Sequence, residues 1–380
     1  MKNSISNSEE INKNTSYLTP IPKPSVADPE LCRPLWTKGT SRDSKILWLD
    51  KNENVDPQLA ALTHQIVCEV SRESLYSYPE CAPLYNRLGK YLGVASDHLL
   101  LTAGSDGAIR SVFEAFVSPG EIVVHTLPTF AMYSVYARMY GAKTVPLEYE
   151  PSEEGPVLFL DKTLSIIRGS RPRLVCLPNP DSPTGTVFSE SDLRTIIEVA
   201  GSVGSLILID EAYYPFYPKT VLPFTNEYPH LIVAQTFSKA WGLAGLRIGY
   251  CAACPDLVQF LHKVRPMYEV NTLAVAVVDR MLDFSNEMLK SVQRLNAGKV
   301  AFLSAMKFLG FKVLQGHGNF LHVAFGSHAS QIHEALKKRV LYRQNFNEPC
   351  LRGFSRFSAA TVELFQPVIE CIRSVIDVTL

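Results

Sequence analysis

The residues best suited to chemistry in this 380-residue chain stand at the ends of apolar runs. Leu206-Ile-Leu-Ile-Asp210-Glu-Ala-Tyr213 closes an aliphatic run with a carboxylate. A carboxylate carried into a dry environment is costly to ionise unless it meets a positive partner. A protonated pyridine nitrogen is such a partner; a cap on the following segment is the plainer alternative. Tyr213, three residues on, is placed to donate to an oxygen on the same ring. Thr236-Phe-Ser238-Lys239-Ala-Trp241 follows another apolar run. A lysine flanked by Ala and Trp loses hydration, which lowers its pKa and favours imine chemistry. Ser238 and Arg247, on either side of it, are the hydroxyl and guanidinium that a phosphate monoester dianion takes as charge-assisted partners.

Leu101-Thr-Ala-Gly104-Ser105-Asp106-Gly107 opens a helix-length stretch, so the backbone N–H groups of Ser105 and Asp106 form a ready anion site; a simple N-cap at either residue competes with that reading. In Pro128-Thr-Phe130 an aromatic ring follows a strand, able to stack on a flat ligand or to fill core.

These residues need rigid mounts, and the hydrophobic pattern supplies them. Leu99–Leu101, Ile122–His125, Leu174–Leu177, Leu206–Ile209, Ile232–Ala234 and Leu246–Tyr250 read as buried strands. Helix-length stretches lie between several of them, as at Ala108–Phe116, Ala131–Tyr140 and Glu190–Val199. The alternation predicts an α/β domain with a mostly parallel sheet flanked by helices. In such sheets ligands gather beyond the carboxyl ends of the strands, which singles out 104–107, 179–185, 210–213 and 236–239. After about residue 275 the texture changes to a long helix near Asn286–Leu309, a strand at Asn319–Phe325, a helix at Ser330–Arg339 and a last helix near Leu364–Val378, as in a smaller α+β domain. The expected organisation is a polar tail and proline-rich extended arm over 1–45, a large domain over 46–275 and a small domain over 276–380, with 46–70 open to either domain.

Composition narrows the function classes. Lys plus Arg equal Asp plus Glu at 37 each, which leaves no bulk field for nucleic acid or an anionic membrane. No apolar run is long enough to span a bilayer, and the first residues lack the apolar core of a secretory signal, so a cytoplasmic protein is expected. The eight cysteines are scattered through apolar stretches and read as reduced thiols; Cys251-Ala-Ala-Cys254 has half of a metal or redox spacing with no second pair, so no metal is expected.

Six spaced motifs carry a resemblance: Tyr78-Pro-Glu-Cys81, Gly104-Ser-Asp106-Gly, Pro128-Thr-Phe130-Ala-Met-Tyr133, Asn179-Pro-Asp-Ser182-Pro-Thr-Gly185, Asp210-Glu-Ala-Tyr213 and Ser238-Lys239-x-x-x-Leu-Ala-Gly-Leu-Arg247. Running in order from about Leu47 to Glu363, the chain resembles the histidinol-phosphate aminotransferase branch of the fold-type-I pyridoxal-phosphate enzymes. The resemblance implies pyridoxal 5'-phosphate on Lys239 as a Schiff base, Asp210 on the ring nitrogen, Tyr213 on the ring hydroxyl and Phe130 stacked on the ring. It implies a phosphate held by Ser238, Arg247 and the amides of Ser105 and Asp106, with Tyr78 reaching in from a second subunit of a homodimer with shared sites. Arg356 resembles the clamp on the substrate α-carboxylate. Arg343 resembles the residue that meets a distal phosphate or carboxylate, and Asn54 of the Asn52-Glu-Asn54 segment is expected at the substrate. Three positions depart from the pattern: Ser182 stands where the family has Asn, Val55 where a proline usually follows Asn-Glu-Asn, and Ala360 where Gly is customary.

The leading expectation is an aminotransferase moving an amino group between glutamate or a similar donor and a keto acceptor, which the resemblance allows to be phosphorylated. A decarboxylase or lyase acting on a phosphorylated amino acid shares the cofactor motifs and is the runner-up. A cofactor-bound DNA-binding regulator is disfavoured, because the first 45 residues are too rich in proline for a winged helix. A dinucleotide dehydrogenase is set aside for want of a Gly-rich turn with a downstream acid.

Overall fold

The computed structural model describes residues 22–32 and 41–377. The expected polar tail and nearly half of the expected extended arm lie outside them; within the described part of the arm, Pro24–Ala27 forms a single helical turn rather than an extended segment. Twelve strands follow among the described residues: β1 (Leu47–Trp48), β2 (Leu99–Thr102), β3 (Ile122–Leu127), β4 (Lys143–Glu148), β5 (Leu174–Pro178), β6 (Leu206–Asp210), β7 (Leu231–Thr236), β8 (Gly249–Ala253), β9 (Lys312–Leu314), β10 (Phe320–Ala324), β11 (Val340–Leu341) and β12 (Phe354–Ser358).

Seven of them form one sheet in the order β2-β8-β7-β6-β5-β3-β4. All run the same way except β8, which is antiparallel to both its neighbours. Strands β5 to β8 are buried along their whole length, so both faces of the sheet must be covered. Alternate side chains go to opposite cores: Val175, Leu177, Ile207 and Ile209 to one, Leu174, Cys176, Leu206 and Leu208 to the other. The chain is α/β with a mostly parallel sheet, as the strand and helix alternation predicts.

A smaller antiparallel sheet, β12-β10-β9, packs with helices Ser285–Phe308 and Val362–Asp377 around Phe302, Phe357 and Phe365. Strand β1 pairs in parallel with β11, so Leu47 and Leu49 join this second core, whereas Leu59 and Ile66 of helix Pro57–Glu69 join the main one. The long helix bridges the two cores, with Met288, Val292 and Leu295 in the first and Phe302, Leu303 and Met306 in the second.

Outside the main sheet β1, β9, β11 and β12 were not among the expected strands, and within it two expectations need correction. The strand expected at Leu246–Tyr250 lies at Gly249–Ala253, because Leu246 closes a short 3₁₀ turn and Arg247 takes a left-handed conformation (φ 53°). The strand Lys143–Glu148 was absent from the expected set; it sits at the sheet edge, half exposed and carrying Pro146, which only an edge tolerates well.

Candidate active site

The carboxyl ends of β2, β3, β5, β6 and β7 lie along one edge of the main sheet, where β8 begins. Each expected loop leaves from this edge. Helix Gly104–Phe116 starts two residues after β2 and points its free N–H groups at the edge. Two glycines let it close down: a Cβ at Gly104 would stand 3.0 Å from Arg247 Nη2, and a Cβ at Gly249 would stand 2.9 Å from Gly104 Cα. Arg247 folds back over this end, donating to Ala103 O at 3.2 Å and to Ser238 Oγ at 3.5 Å. The Asp106 carboxylate is turned aside to accept from Tyr136 Oη at 3.0 Å, so its charge is engaged by a neighbouring helix rather than facing the amides. Ser238, Arg247 and the helix N-terminus thus form one cationic, donor-rich cradle.

Asp210 ends β6 and is buried, with burial pushing its carboxyl up to about 6. Tyr133 Oη donates to its Oδ2 at 3.0 Å and the Ala212 N–H to its Oδ1 at 3.0 Å. Both are neutral donors, so the carboxylate lacks a directly bonded cation, which is the environment a ring N–H⁺ would relieve. Lys239 Nζ donates to Lys51 O at 2.9 Å and lies 5.7 Å from the Tyr213 ring centre. Burial, with Arg356 and Arg247 nearby, lowers its ammonium to about 8. Phe130 sits edge-on to Tyr133, with ring centres 6.1 Å apart.

Tyr213 is buried, which raises its phenol, and its oxygen accepts from Asn52 Nδ2 at 2.9 Å. Arg356, on β12 of the smaller sheet, is 5% exposed. It donates to Asp50 O at 2.8 Å and to Ser182 Oγ at 3.3 Å, while its Nε is buried without a partner. Burial lowers this guanidinium to about 10, so it stays charged at neutral pH. Ser182 therefore turns to Arg356 and not to the preceding Asp181. That carboxylate is fully buried, pushed up to about 7 by burial, and takes Thr129 and Tyr149 hydroxyls at 2.9 Å. Arg343 pairs with Arg356 through backbone hydrogen bonds and lays its exposed guanidinium 5.3 Å from the Phe346 ring centre.

Two expected residues stand apart. Asn54 does not enter the site: its amide donates to Ala240 O and Ser291 Oγ at 3.0 Å each and its carbonyl accepts the Asp56 N–H at 2.9 Å. It braces the residue after Lys239, and Asn52 is the segment's asparagine that reaches the site. Tyr78 is 72% exposed and stacks on Tyr268, ring centres 4.1 Å apart, on the outer surface. The sequence reading missed Asn52 and Tyr133. Tyr133 was within reach of it, since Phe130-x-x-Tyr133 places the phenol one helical turn beyond an expected ring-stacking residue.

An anion cradle, a buried unpaired carboxylate and a lysine of lowered pKa on one edge of an α/β sheet fit a phosphorylated pyridine aldehyde. The chain belongs to the aminotransferase class I and II family, whose model matches residues 44–370. It is 32% identical over 340 residues to the histidinol-phosphate aminotransferase of Roseiflexus castenholzii, covering 87% of this chain and 90% of the relative. It is 31% identical over 315 residues to the enzyme of that name from Caldanaerobacter subterraneus, covering 80% and 85%. Its fold matches the histidinol-phosphate aminotransferase of Sinorhizobium meliloti solved with pyridoxal 5'-phosphate, with a TM-score of 0.77 at 23% identity over 88% of this chain and 92% of that one. Within the family it stands in the histidinol-phosphate aminotransferase-like branch, and it is a pyridoxal-phosphate-dependent aminotransferase acting on small amino and keto acids. Among the described residues no helix is long and apolar enough to cross a membrane.

Proposed function

We propose that the chain transfers an amino group from glutamate, or a donor like it, to a keto acceptor bearing a distal phosphate, histidinol-phosphate chemistry being the reading its relatives' names favour. The observation that carries it is the setting of Lys239 between the Ser238–Arg247 cradle and the carboxylate of Asp210. When bound, pyridoxal phosphate supplies a protonated ring that draws electrons from the substrate Cα.

The chain's own groups divide the remaining work. Ser238, Arg247 and the amides of Ser105 and Asp106 hold the phosphate, and Phe130 packs on one face of the ring. Asp210, kept dry beside Tyr133, holds the ring N–H proton, while Tyr213 and Ser182 meet the ring oxygen. Lys239, with an ammonium lowered to about 8, has a sizeable neutral fraction near pH 7.5 and takes and returns the Cα proton. Arg356 clamps the α-carboxylate, since its buried, unpartnered Nε marks unused donor capacity. Arg343, exposed at the rim, reads the distal anion. Tyr78 of a second copy completes the phosphate site in a homodimer, and nucleic acid and membrane play no part. A cytoplasmic location suits eight free thiols.

The test is a half-reaction. Glutamate added to the cofactor-loaded protein should convert its visible absorbance to the amino form and release 2-oxoglutarate, and phosphorylated keto acceptors should restore it faster than their unphosphorylated counterparts. Carbon dioxide release from an amino acid without that conversion would establish the decarboxylase reading instead. Lys239→Ala should abolish turnover and still bind the cofactor through the cradle.

A further inference from the structure

Asn52 lies in a left-handed turn (φ 56°) and is 3% exposed. Its backbone N–H donates to Ser358 Oγ at 2.8 Å and its carbonyl accepts Asn319 Nδ2 at 2.8 Å. Ser358 ends β12, and Asn319 precedes β10 in a loop whose Gly316 and Gly318 carbonyls are held by the Lys299 ammonium at 2.8 and 2.9 Å. The backbone of Asn52 is thus fixed by the smaller sheet and its loop, while its side chain meets a phenol that follows β6 of the large sheet.

The chemistry of that contact is directional. A phenol has one proton to give and lone pairs to receive. Because Asn52 Nδ2 donates into Tyr213 Oη at 2.9 Å, the proton of Tyr213 must point elsewhere. Arg356 treats Ser182 in the same way, donating into its oxygen at 3.3 Å. Tyr213 and Ser182 are also in hydrogen-bond contact with each other. Both hydroxyls are therefore filled as acceptors from behind, by groups whose contacting atoms accept nothing in return. One of the two protons lies in the contact between them; with Asn52 and Ser182 both directed as donors at the Tyr213 oxygen, the proton left for an acceptor that arrives there is the phenol's.

We propose that Asn52 is a positioning residue that makes the Tyr213 hydroxyl a committed donor to the ring oxygen of the bound cofactor. The inference rests on the cofactor reading above. A donor aimed at the ring oxygen favours the form in which that oxygen carries most negative charge, which is the high-pH form of the Lys239-bound cofactor. Removing the alignment moves the absorbance titration to higher pH.

The experiment titrates the visible absorbance of cofactor-loaded wild type, Asn52→Ala, Asn52→Asp, Tyr213→Phe and the Asn52→Ala/Tyr213→Phe double variant. Asn52→Ala should raise the midpoint by on the order of one pH unit, the equivalent of one hydrogen bond. Asn52→Asp offers Tyr213 an acceptor in place of a donor, draws its proton away from the ring, and should raise the midpoint at least as far. In the Tyr213→Phe background, Asn52→Ala should add nothing. An unmoved midpoint in Asn52→Ala, or a shift that persists undiminished without the phenol, overturns the proposal. Should Asn52→Ala not fold, Asn52→Gly keeps the left-handed backbone and carries the same expectation. Failure to find a borohydride-fixed cofactor on Lys239 in the wild type would defeat the cofactor reading itself, whereas a normal band with an unmoved midpoint defeats only the role of Asn52.

Discussion

Two arginines of similar chemistry hold different positions, and position decides what each can discriminate. Arg356 is buried, braced on Asp50 O and Ser182, and stacked 5.4 Å from the centre of the Phe320 ring. Arg343 is its backbone partner, with an exposed side chain over Phe346. Every amino acid presents an α-carboxylate, so Arg356→Ala should slow all donors alike. Arg343→Ala should penalise only substrates with a distal anion. A charge-assisted hydrogen bond contributes roughly 1.5–3 kcal/mol, so each loss should appear as ~10-fold or more in kcat/KM. Comparing a dicarboxylic or phosphorylated donor with a neutral one in both variants checks this; equal losses at Arg343 would refute the division. At this scale the sequence was most informative where one residue type has few other uses at the end of an apolar strand, as with Asp210 and Lys239. It was least informative where two identical side chains lie two positions apart. Nothing in Asn52-Glu-Asn54 tells which amide turns inward; a left-handed backbone at Asn52 and contacts with Ser358 and Asn319, more than 260 residues away, decide it.

Among the elements, the buried parallel strands were legible because continuous apolar runs have no other stable place, and the helices because their apolar period is long. The start of β8 was not, since Leu-Arg-Ile-Gly alternates as a strand would. What ends the turn is contact: a Cβ at Gly249 would come within 2.7 Å of Gln235 O and 2.8 Å of Gly104 C, so the pairing can begin only at glycine. Lys299, on the long bridging helix, was equally silent in the sequence. It is 3% exposed, is bonded to two carbonyls, and burial lowers its ammonium from 10.5 to about 7. In the unfolded chain the amine keeps its proton up to its ordinary value, so between about 7 and 10.5 the unfolded state binds more protons and stability rises with pH. Below that window both states are protonated and the cost of burying the charge is fully present. Lys299→Met should remove this slope, each pH unit of the window being worth roughly 1.4 kcal/mol. Denaturant midpoints of the two proteins from pH 6.5 to 10 should therefore diverge as pH rises, the wild type gaining; parallel curves would mean that the amine is not displaced as the geometry implies.

At the scale of the whole molecule the surface carries an unfinished feature. Leu75, Tyr76, Tyr78 and Met267 are each more than 70% exposed, and Tyr268, stacked on Tyr78, is nearly half exposed. Large apolar side chains gathered in this way suit the homodimer interface proposed above. Tyr78 faces outward there, while the cradle of Ser238 and Arg247 opens at the sheet edge, so a phenol from a second copy is the natural source of a further phosphate donor. In a twofold dimer each site then draws Lys239 from one chain and Tyr78 from the other. That arrangement has a signature no monomer can imitate. Lys239→Ala and Tyr78→Phe are each expected to be impaired alone, the first completely and the second by ~10-fold or more in cofactor affinity, for loss of a charge-assisted hydrogen bond. When the two variants are unfolded, mixed and refolded together, half of the dimers are mixed, and in each mixed dimer one site has both defects while the other has neither. About one quarter of all sites should thus regain wild-type activity and affinity. If Tyr78 served its own chain, no site in any mixed dimer would combine a wild-type Lys239 with a wild-type Tyr78, and the mixture would show no recovery. Activity and sedimentation measured on the same refolded samples separate these outcomes, since recovery must track the fraction of mixed dimers.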